Sequence, residues 1–189
     1  MQLHTTTTMQ NNTRRPKIST GTGDDGETGL FYGGRVPKTD SQIGATGDCD
    51  ELNAAIGEAK CRCSNPARKE ILETIQKDLF ILMGDISLNR YTKEAKEELQ
   101  LQGSRVRWVE ILGADIEAKL PPAGGWDLPG ANPESAALHT ARTICRRAER
   151  HILAVPTTHQ ASKNARTYIN RLSDLLYLLG REAATENQR

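Results

Sequence analysis

Apolar residues recur every three or four positions along most of the chain, the spacing that places them on one face of an α-helix. A first helix is predicted from about Ser41 to the break at Asn65 and Pro66, and a second over residues 67–89. A weaker pattern over residues 106–120 predicts a third helix that stops before two prolines. The pattern therefore favours an all-α fold.

Two further helices have clearer signals at their ends. Asn132 is a favourable N-cap and Pro133 would take the first helical position, so a fourth helix is predicted from there to just before Pro156. A fifth is predicted from about Ser162 to Glu182. Its inward face would hold Tyr168, Ile169, Leu172, Leu175, Leu176 and Leu179.

The segment before the first helix has no helical period. Residues 17–40 are rich in glycine, which predicts a loop with short extended pieces. Residues 1–16 are polar and threonine-rich, which is typical of a disordered tail rather than of a targeting sequence. The rest of the chain shows no internal sequence repeat and no domain boundary, so residues 17–185 are predicted to form a single domain.

Composition narrows the class of partner. The chain has 25 Lys and Arg against 24 Asp and Glu, a formal net charge of +1, so it has no overall field for nonspecific binding to nucleic acid or to a membrane surface. No window has the length of a membrane span. The four cysteines show no paired Cys-x-x-Cys spacing, which favours reduced thiols in a cytoplasmic protein.

The predicted fourth helix has an arginine-rich border beside its apolar stripe. Helical geometry places Arg142, Arg146, Glu149 and Arg150 on the arc next to that stripe. Guanidinium groups one turn apart suit a polyanion such as a triphosphate. The alternative, a solvated face with local Arg/Glu pairs, remains open at this point.

Other candidate chemistry is less specific. The loop sequence TGTGDDGETG could direct backbone N–H groups at an anion, but it is not a Walker A loop and could be a surface turn. We interpret Glu51 as an acid in the first turn of its helix, whereas Asp50 could hold Arg142 in position. No Ser/His/Asp or Cys/His arrangement is visible, so the chain offers ligand binding without an obvious protein nucleophile.

Five motifs in order resemble the PduO-type ATP:cob(I)alamin adenosyltransferases. They are the Gly-rich loop, DELNAAIG at residues 50–57, LPG at 128–130, LHTARTICRRAER at 138–150 and NRLSD at 170–174. The resemblance covers roughly residues 17–181. It implies a trimeric five-helix bundle in which ATP lies at the subunit interface under the N-terminal loop, with a corrinoid beside it.

The resemblance also implies roles for individual residues. Arg142 would pair with Asp50 across the active site, and Arg146 would act on the phosphates. The family usually has a phenylalanine two residues before LPG, where this chain has Trp126. Our hypothesis is that Trp126 displaces the lower ligand of cobalt. The ATP site would comprise Ser19, Thr20, Gly21, Thr22, Gly23, Asp24, Asp25, Gly26, Glu27, Thr28, Lys38, Arg146, Arg147, Ala148, Glu149, Arg150 and Asn170.

The implied reaction transfers the 5′-deoxyadenosyl group of ATP, supplied with Mg²⁺, to the Co(I) of cob(I)alamin or another corrinoid and releases triphosphate. Cob(I)alamin is itself the nucleophile, which agrees with the lack of one in the protein. The chain reads LPGANPES where the family commonly has a second glycine and a small hydroxyl residue, a departure that bears on corrinoid fit. A flavin reductase and a cobalamin-dependent enzyme are possible partners.

Two alternatives belong to other classes of protein. An escort would bind ATP and corrinoid and deliver the cofactor to a partner enzyme without turnover. A helical interaction module would use the arginine helix as a protein contact and would show no stabilisation by ATP.

Overall fold

The structure is a computed structural model that describes residues 18–31, 33–88, 100–122, 125 and 128–186. Over these residues the chain forms five α-helices and a two-stranded antiparallel sheet. The helices are α1 (Ser41–Arg62), α2 (Pro66–Leu88), α3 (Gly103–Glu117), α4 (Pro133–Ala154) and α5 (Lys163–Glu186). The strands are β1 (Glu27–Gly29) and β2 (Arg35–Pro37), with Thr28 opposite Val36.

Local sequence explains where several helices begin. The side chain of Asp40 accepts a hydrogen bond from the Gln42 N–H and caps α1. Asn132 caps α4 in the same way through Ser135 N–H, with Pro133 at the first helical position. Both caps satisfy backbone donors that have no partner inside the helix.

The helices pack around one core in the spatial order α2, α1, α4, α5, α3. α1 packs against α2 and α4, α5 packs against α4, and α3 lies on α5. Small buried side chains at the α1–α4 contact, Ala45 and Cys49 on α1 and Cys145 and Ala148 on α4, leave room for close packing. This order places α4 and α5 side by side along their whole length.

The predicted all-α five-helix fold is confirmed over the described residues. The fourth helix has the predicted ends, whereas α5 runs four residues beyond Glu182 and α3 begins before Val106. Trp126 and the predicted tail, residues 1–16, lie outside the described residues. None of the helices in the described ranges is both long and apolar enough to cross a membrane.

Candidate functional site

The facing sides of α4 and α5 present two rows of polar residues, which we call the seam. Glu149 meets Asn170 at one end of the seam, and His139 meets Tyr177 and Gly180 at the other, so the two rows run in opposite directions. Each row falls within an arc of about 80° on its helix. The rows are His139, Arg142, Arg146 and Glu149 on α4, and Asn170, Asp174, Tyr177 and Arg181 on α5.

A cationic groove of about 450 Å³ lies at the end of the seam near the start of α5. Three basic side chains border it, Lys163, Arg166 and Arg171. The Nε of Arg166 is buried and has no hydrogen-bond partner among the described residues. The N-terminal end of α5 adds a partial positive charge, so this groove favours an anion. Its complete lining is Glu149, Leu153, Lys163, Arg166, Thr167, Asn170 and Arg171.

Asn170 is fixed at the side of this groove by two hydrogen bonds. Its amide Nδ2 donates to Glu149 Oε1 at 2.7 Å, and its Oδ1 accepts from Arg171 Nη1 at 2.6 Å. Arg146, one turn before Arg150, is exposed, and the Arg150 guanidinium donates to the Arg146 carbonyl. Glu149 and Asn170 thus border one groove, whereas Arg146 and Arg150 are not among the residues that line it.

A recess lies at the opposite end of the seam, where α3 ends and α4 begins. It consists of two adjoining cavities of about 560 and 250 Å³ that share Pro121 and Arg181. The His139 ring packs so closely on α5 that a Cβ at Gly180 would lie 3.1 Å from its Nε2. The remaining lining residues are Glu117, Leu120, Pro122, Leu128, Ala131, Ser135, Asp174, Tyr177, Leu178, Ala184 and Thr185.

Arg142 lies between groove and recess on the α4 row. It is half-buried, and its Nε is buried without a hydrogen-bond partner among the described residues. A guanidinium N–H in that state has lost water without gaining an acceptor within the chain. The middle of the seam therefore has a charged donor available for a ligand or a second protein chain.

The structure does not form the predicted Arg142–Asp50 pair within one chain. Asp50 is exposed on α1, and the acids of α1 that reach α4 are Asp48 and Glu51, which both pair with Arg147. Residue 50 lies about 200° around the helix from residue 48, so the two aspartates point to different sides of α1. The interpretation of Glu51 as a first-turn acid is wrong, because α1 begins ten residues earlier at Ser41.

The same geometry places two residues predicted for the ATP site away from the groove. Arg147 lies on the α1 side of α4, where its Nε donates to Asp48 Oδ1 at 3.0 Å, and His151 also contacts Asp48. The side chain of Ala148 is fully buried in the core. Neither side chain faces the groove, because successive residues of a helix are about 100° apart.

The predicted ATP-binding loop forms a small unit of its own. The Arg35 side chain donates two hydrogen bonds, to Glu27 Oε2 on the opposite strand at 3.2 Å and to the Thr22 carbonyl at 2.7 Å. Lys38 folds back on the glycine-rich turn, where its Nζ would lie 3.2 Å from a Cβ at Gly23. The structure thus brings Lys38 close to the glycine-rich turn of residues 19–28.

This loop lies over a different part of the bundle from the seam. Phe31, which follows β1, borders an apolar cavity formed with α1, α2 and the start of α3. The groove is bordered, among the residues that the structure describes, by residues of α4 and α5 only. Within one chain the loop and the groove therefore lie on separate faces.

The core below the seam contains a thiol that cannot act as a nucleophile. Cys145 is fully buried, and its Sγ donates to the Ile169 carbonyl at 3.4 Å. Burial raises the pKa of this thiol well above its ordinary value, so it stays protonated near neutral pH. In the described part of the chain, no three His, Cys, Asp or Glu side chains come together as a metal site.

Sequence reasoning missed three basic residues of the groove. They are Lys163, Arg166 and Arg171. Lys163 and Arg166 share one face of α5 with the predicted Asn170, because these positions are spaced by three and four, and Arg171 adjoins that face. That spacing was visible in the sequence next to the NRLSD motif. The structure adds the information that this face lies beside Glu149 on α4.

Comparison with known proteins gives a consistent result. The cobalamin adenosyltransferase family model matches residues 18–183. A corrinoid adenosyltransferase from Mycobacterium leprae is 40% identical over 178 residues, which cover 90% of this chain and 93% of the relative. The corrinoid adenosyltransferase PduO of Citrobacter freundii is 37% identical over 164 residues, but the match spans 87% of this chain and only 49% of that protein.

A solved structure is similar over nearly the same range. It is a variant of the PduO-type ATP:corrinoid adenosyltransferase from Lactobacillus reuteri, complexed with cobalamin and ATP. The two structures align with a TM-score of 0.81 and 31% sequence identity, over 91% of this chain and 93% of that one. From the family match and these similarities, the chain belongs to the cobalamin adenosyltransferase family.

Proposed function

We propose that the protein transfers the 5′-deoxyadenosyl group of ATP to the Co(I) of cob(I)alamin or another corrinoid. The observation on which the proposal rests is the seam, because its two polar rows lead from a cationic groove at one end to a larger recess at the other. A polyanionic nucleotide and a bulky corrinoid would then lie end to end. The known binding of cobalamin and ATP by the Lactobacillus reuteri relative supports this assignment.

The triphosphate is assigned to the groove. Lys163 and Arg166 border it and supply positive charge, Arg146 and Arg150 on α4 would add to that charge, and Asn170 supplies an amide at its edge. These donors would stabilise the charge that develops on the leaving triphosphate. Mg²⁺ would arrive with ATP, since this ion is typically held by substrate phosphates and one or two carboxylates. Glu149 is a carboxylate that borders the groove.

The corrinoid is assigned to the recess between Pro121, Tyr177 and Arg181. In the reaction the Co(I) electron pair forms the bond to the 5′ carbon of ATP, and the bond from that carbon to the triphosphate oxygen breaks. The protein contributes alignment and charge stabilisation. Trp126 remains our hypothesis for the residue that displaces the lower ligand of cobalt.

We further propose that two chains complete each site, in a homotrimer. The glycine-rich loop, residues 19–28 with Lys38, would cover the groove of a neighbouring subunit, since it lies on another face of its own chain. Asp50 would pair with the neighbour's Arg142. Support comes from the exposed Asp50 and the unpartnered buried Nε of Arg142. A cytoplasmic location and supply of Co(I) by a flavin reductase belong to the same proposal.

The test is an anaerobic assay with chemically reduced cob(I)alamin and Mg-ATP, following the formation of light-sensitive adenosylcobalamin. Arg146→Ala should lower kcat/KM by about a hundredfold, since it removes a donor to the leaving group. Arg147→Ala is the matched control, because the neighbouring arginine lies on the other side of α4. Its kcat/KM should stay within about threefold of the wild type, because the ion pair between Arg147 and Asp48 lies away from the groove.

The escort function makes a different prediction in the same assay. An escort would bind ATP and cob(I)alamin in stoichiometric amounts without forming adenosylcobalamin. That outcome would reject the transferase. Equal losses in the two arginine variants would reject the assignment of the triphosphate to the groove.

A further inference from the structure

The connection from α3 to α4 is held against the last turns of α5 at both of its ends. At the entrance, Arg181 Nη2 donates to the Pro121 carbonyl at 2.9 Å. At the exit, Asn132 Nδ2 donates to the Ala183 carbonyl at 2.8 Å. The two attachment points are two residues apart on α5, and the recess lies between them.

Asn132 performs two tasks with one side chain. Its Oδ1 accepts from Ser135 N–H and caps α4, while its Nδ2 makes the attachment to α5. A serine or threonine at this position could cap the helix equally well. It could not donate to Ala183 with the same side-chain geometry, because its hydroxyl lies closer to the backbone than the Asn132 amide nitrogen does.

A buried ion cluster fixes the next residues of the same segment. Arg68, at the start of α2, is only 1% exposed and donates to Glu134 Oε1 at 2.8 Å and to Glu186 Oε2 at 3.0 Å. Its Nη2 also lies 3.2 Å from Glu182 Oε2. Burial alone would lower the pKa of Arg68, but the charges of Glu134, Glu186 and Glu182 raise it.

The ion cluster makes this end of the seam firmly fixed. Three carboxylates share one guanidinium, and Glu134 is itself buried. A buried acid with one cationic partner holds its position strongly, because separation would leave an unpaired charge in the interior. The first turn of α4 is therefore fixed to α2 and α5 together.

The wall of the recess depends on these attachments. Leu128 and Ala131 border the smaller cavity, although Leu128 is 89% exposed and so has little packing of its own. The nearest described attachment beyond them is Asn132. Its bond to Ala183 sets the distance between this wall and Ala184 on the opposite side of the cavity.

We propose that Asn132 is a positioning residue for the corrinoid: its amide, backed by the Arg68–Glu134 ion pair, sets the width of the recess. This inference rests on the proposed function, since it takes the corrinoid to occupy the recess. Asn132 does not need to touch the corrinoid. It acts through Leu128 and Ala131, so its loss should weaken corrinoid binding and leave the ATP groove unchanged.

The experiment compares Asn132→Ser with a matched control, Asn65→Ser. Asn65 makes the same two kinds of hydrogen bond as Asn132. Its Oδ1 accepts from Ala67 N–H and Arg68 N–H at the start of α2, and its Nδ2 donates to Glu186 on α5 at 3.1 Å. Serine keeps the cap and removes the attachment at either position. Of these two attachments only that of Asn132 adjoins the recess, because the neighbouring residues Ala131 and Ala184 line the smaller cavity.

Two quantities are measured for each protein: the Kd for cob(II)alamin, by absorbance titration in saturating Mg-ATP, and the KM for ATP in the anaerobic assay. Asn132→Ser should raise the cobalamin Kd about fivefold, the effect of one lost hydrogen bond. Its KM for ATP should stay within about twofold of the wild type, and Asn65→Ser should leave both values unchanged within that margin. Thermal unfolding checks that both variants fold.

The outcomes separate this inference from the proposed function. An unchanged cobalamin Kd in Asn132→Ser, or equal weakening in both variants, would overturn the positioning role. Wild-type protein that binds cob(II)alamin but forms no adenosylcobalamin would reject the proposed transfer alone, and the Kd comparison would still decide on Asn132. Wild-type protein that binds no cob(II)alamin would overturn both.

Discussion

The N-terminal loop and the α4–α5 seam are the two regions assigned to ATP, and they are held in place differently. The loop is mostly exposed, and Thr22, Glu27 and Arg35 make their hydrogen bonds with one another. The seam lies directly on the buried core, and Arg68 fixes its recess end. Substitutions in the loop should therefore change ligand contact alone, whereas substitutions below the seam should change stability as well.

The largest expected difference is in the free energy of unfolding, between a variant of a buried arginine near the seam and a variant of an exposed arginine in the loop. Arg68→Met leaves Glu134 buried without its cation and should lower the free energy of unfolding by about 3–5 kcal/mol. Arg35→Met removes a half-exposed ion pair and should cost about 1 kcal/mol or less. Urea unfolding of both variants measures these values. Similar losses would show that the two regions are not held differently.

A smaller effect is expected at alkaline pH, and it concerns the core below the seam. Burial, and next the charges of Asp48 and Asp50, raise the pKa of the Cys49 thiol from 9.0 to about 12, and burial raises that of Cys145 as well. Both thiols stay neutral in the folded protein at a pH where the unfolded chain ionises them. Stability should therefore be constant below about pH 9 and fall above it, by about 1.4 kcal/mol per pH unit for each thiol.

Urea unfolding between pH 8 and pH 11 measures this loss. Cys49→Ala removes one of the thiols whose pKa is raised by folding, so its stability should fall less steeply with pH than that of the wild type. Equal slopes in the two proteins would contradict the assignment. The wild type itself should show no decline below pH 8.

The smallest effect is expected in the loop. In Gly23→Ala the new Cβ would lie 3.2 Å from Lys38 Nζ, so the lysine must shift. The KM for ATP should rise about threefold with little change in unfolding free energy, because Lys38 is exposed. Gly44→Ala on α1 is the control, since nothing lies within 4 Å of its Cβ. An equal rise in the KM for ATP in Gly44→Ala would contradict a role of Lys38 in ATP binding.

Local signals in the sequence predicted the helices well. Asn132 and Pro133 defined the start of α4, and Pro156 its limit, because capping and proline geometry depend only on neighbouring residues. The end of α5 was placed too early, since no glycine or proline marks it. The fold class followed from periodicity alone.

Contacts between distant parts of the chain were not predictable in the same way. Glu134 could be interpreted as an ordinary first-turn acid, yet it pairs with Arg68, 66 residues away. Arg68 did offer a signal, because it lies on the same stripe as Leu72 and Ile75 of α2. A helix pattern does not show which side of α1 meets α4, so the contact between Asp48 and Arg147 was not predicted.

The central claim is that the loop of one chain and the groove of another form each ATP site. Lys38→Ala and Arg146→Ala each remove one part, so each pure variant should be nearly inactive. If the chains are unfolded together and refolded as a 1:1 mixture, about a quarter of the interfaces in a cyclic oligomer would combine an intact loop with an intact groove. We predict recovery of about a quarter of wild-type adenosylcobalamin formation in this mixture. Activity no higher than that of the pure variants would contradict a site shared between chains.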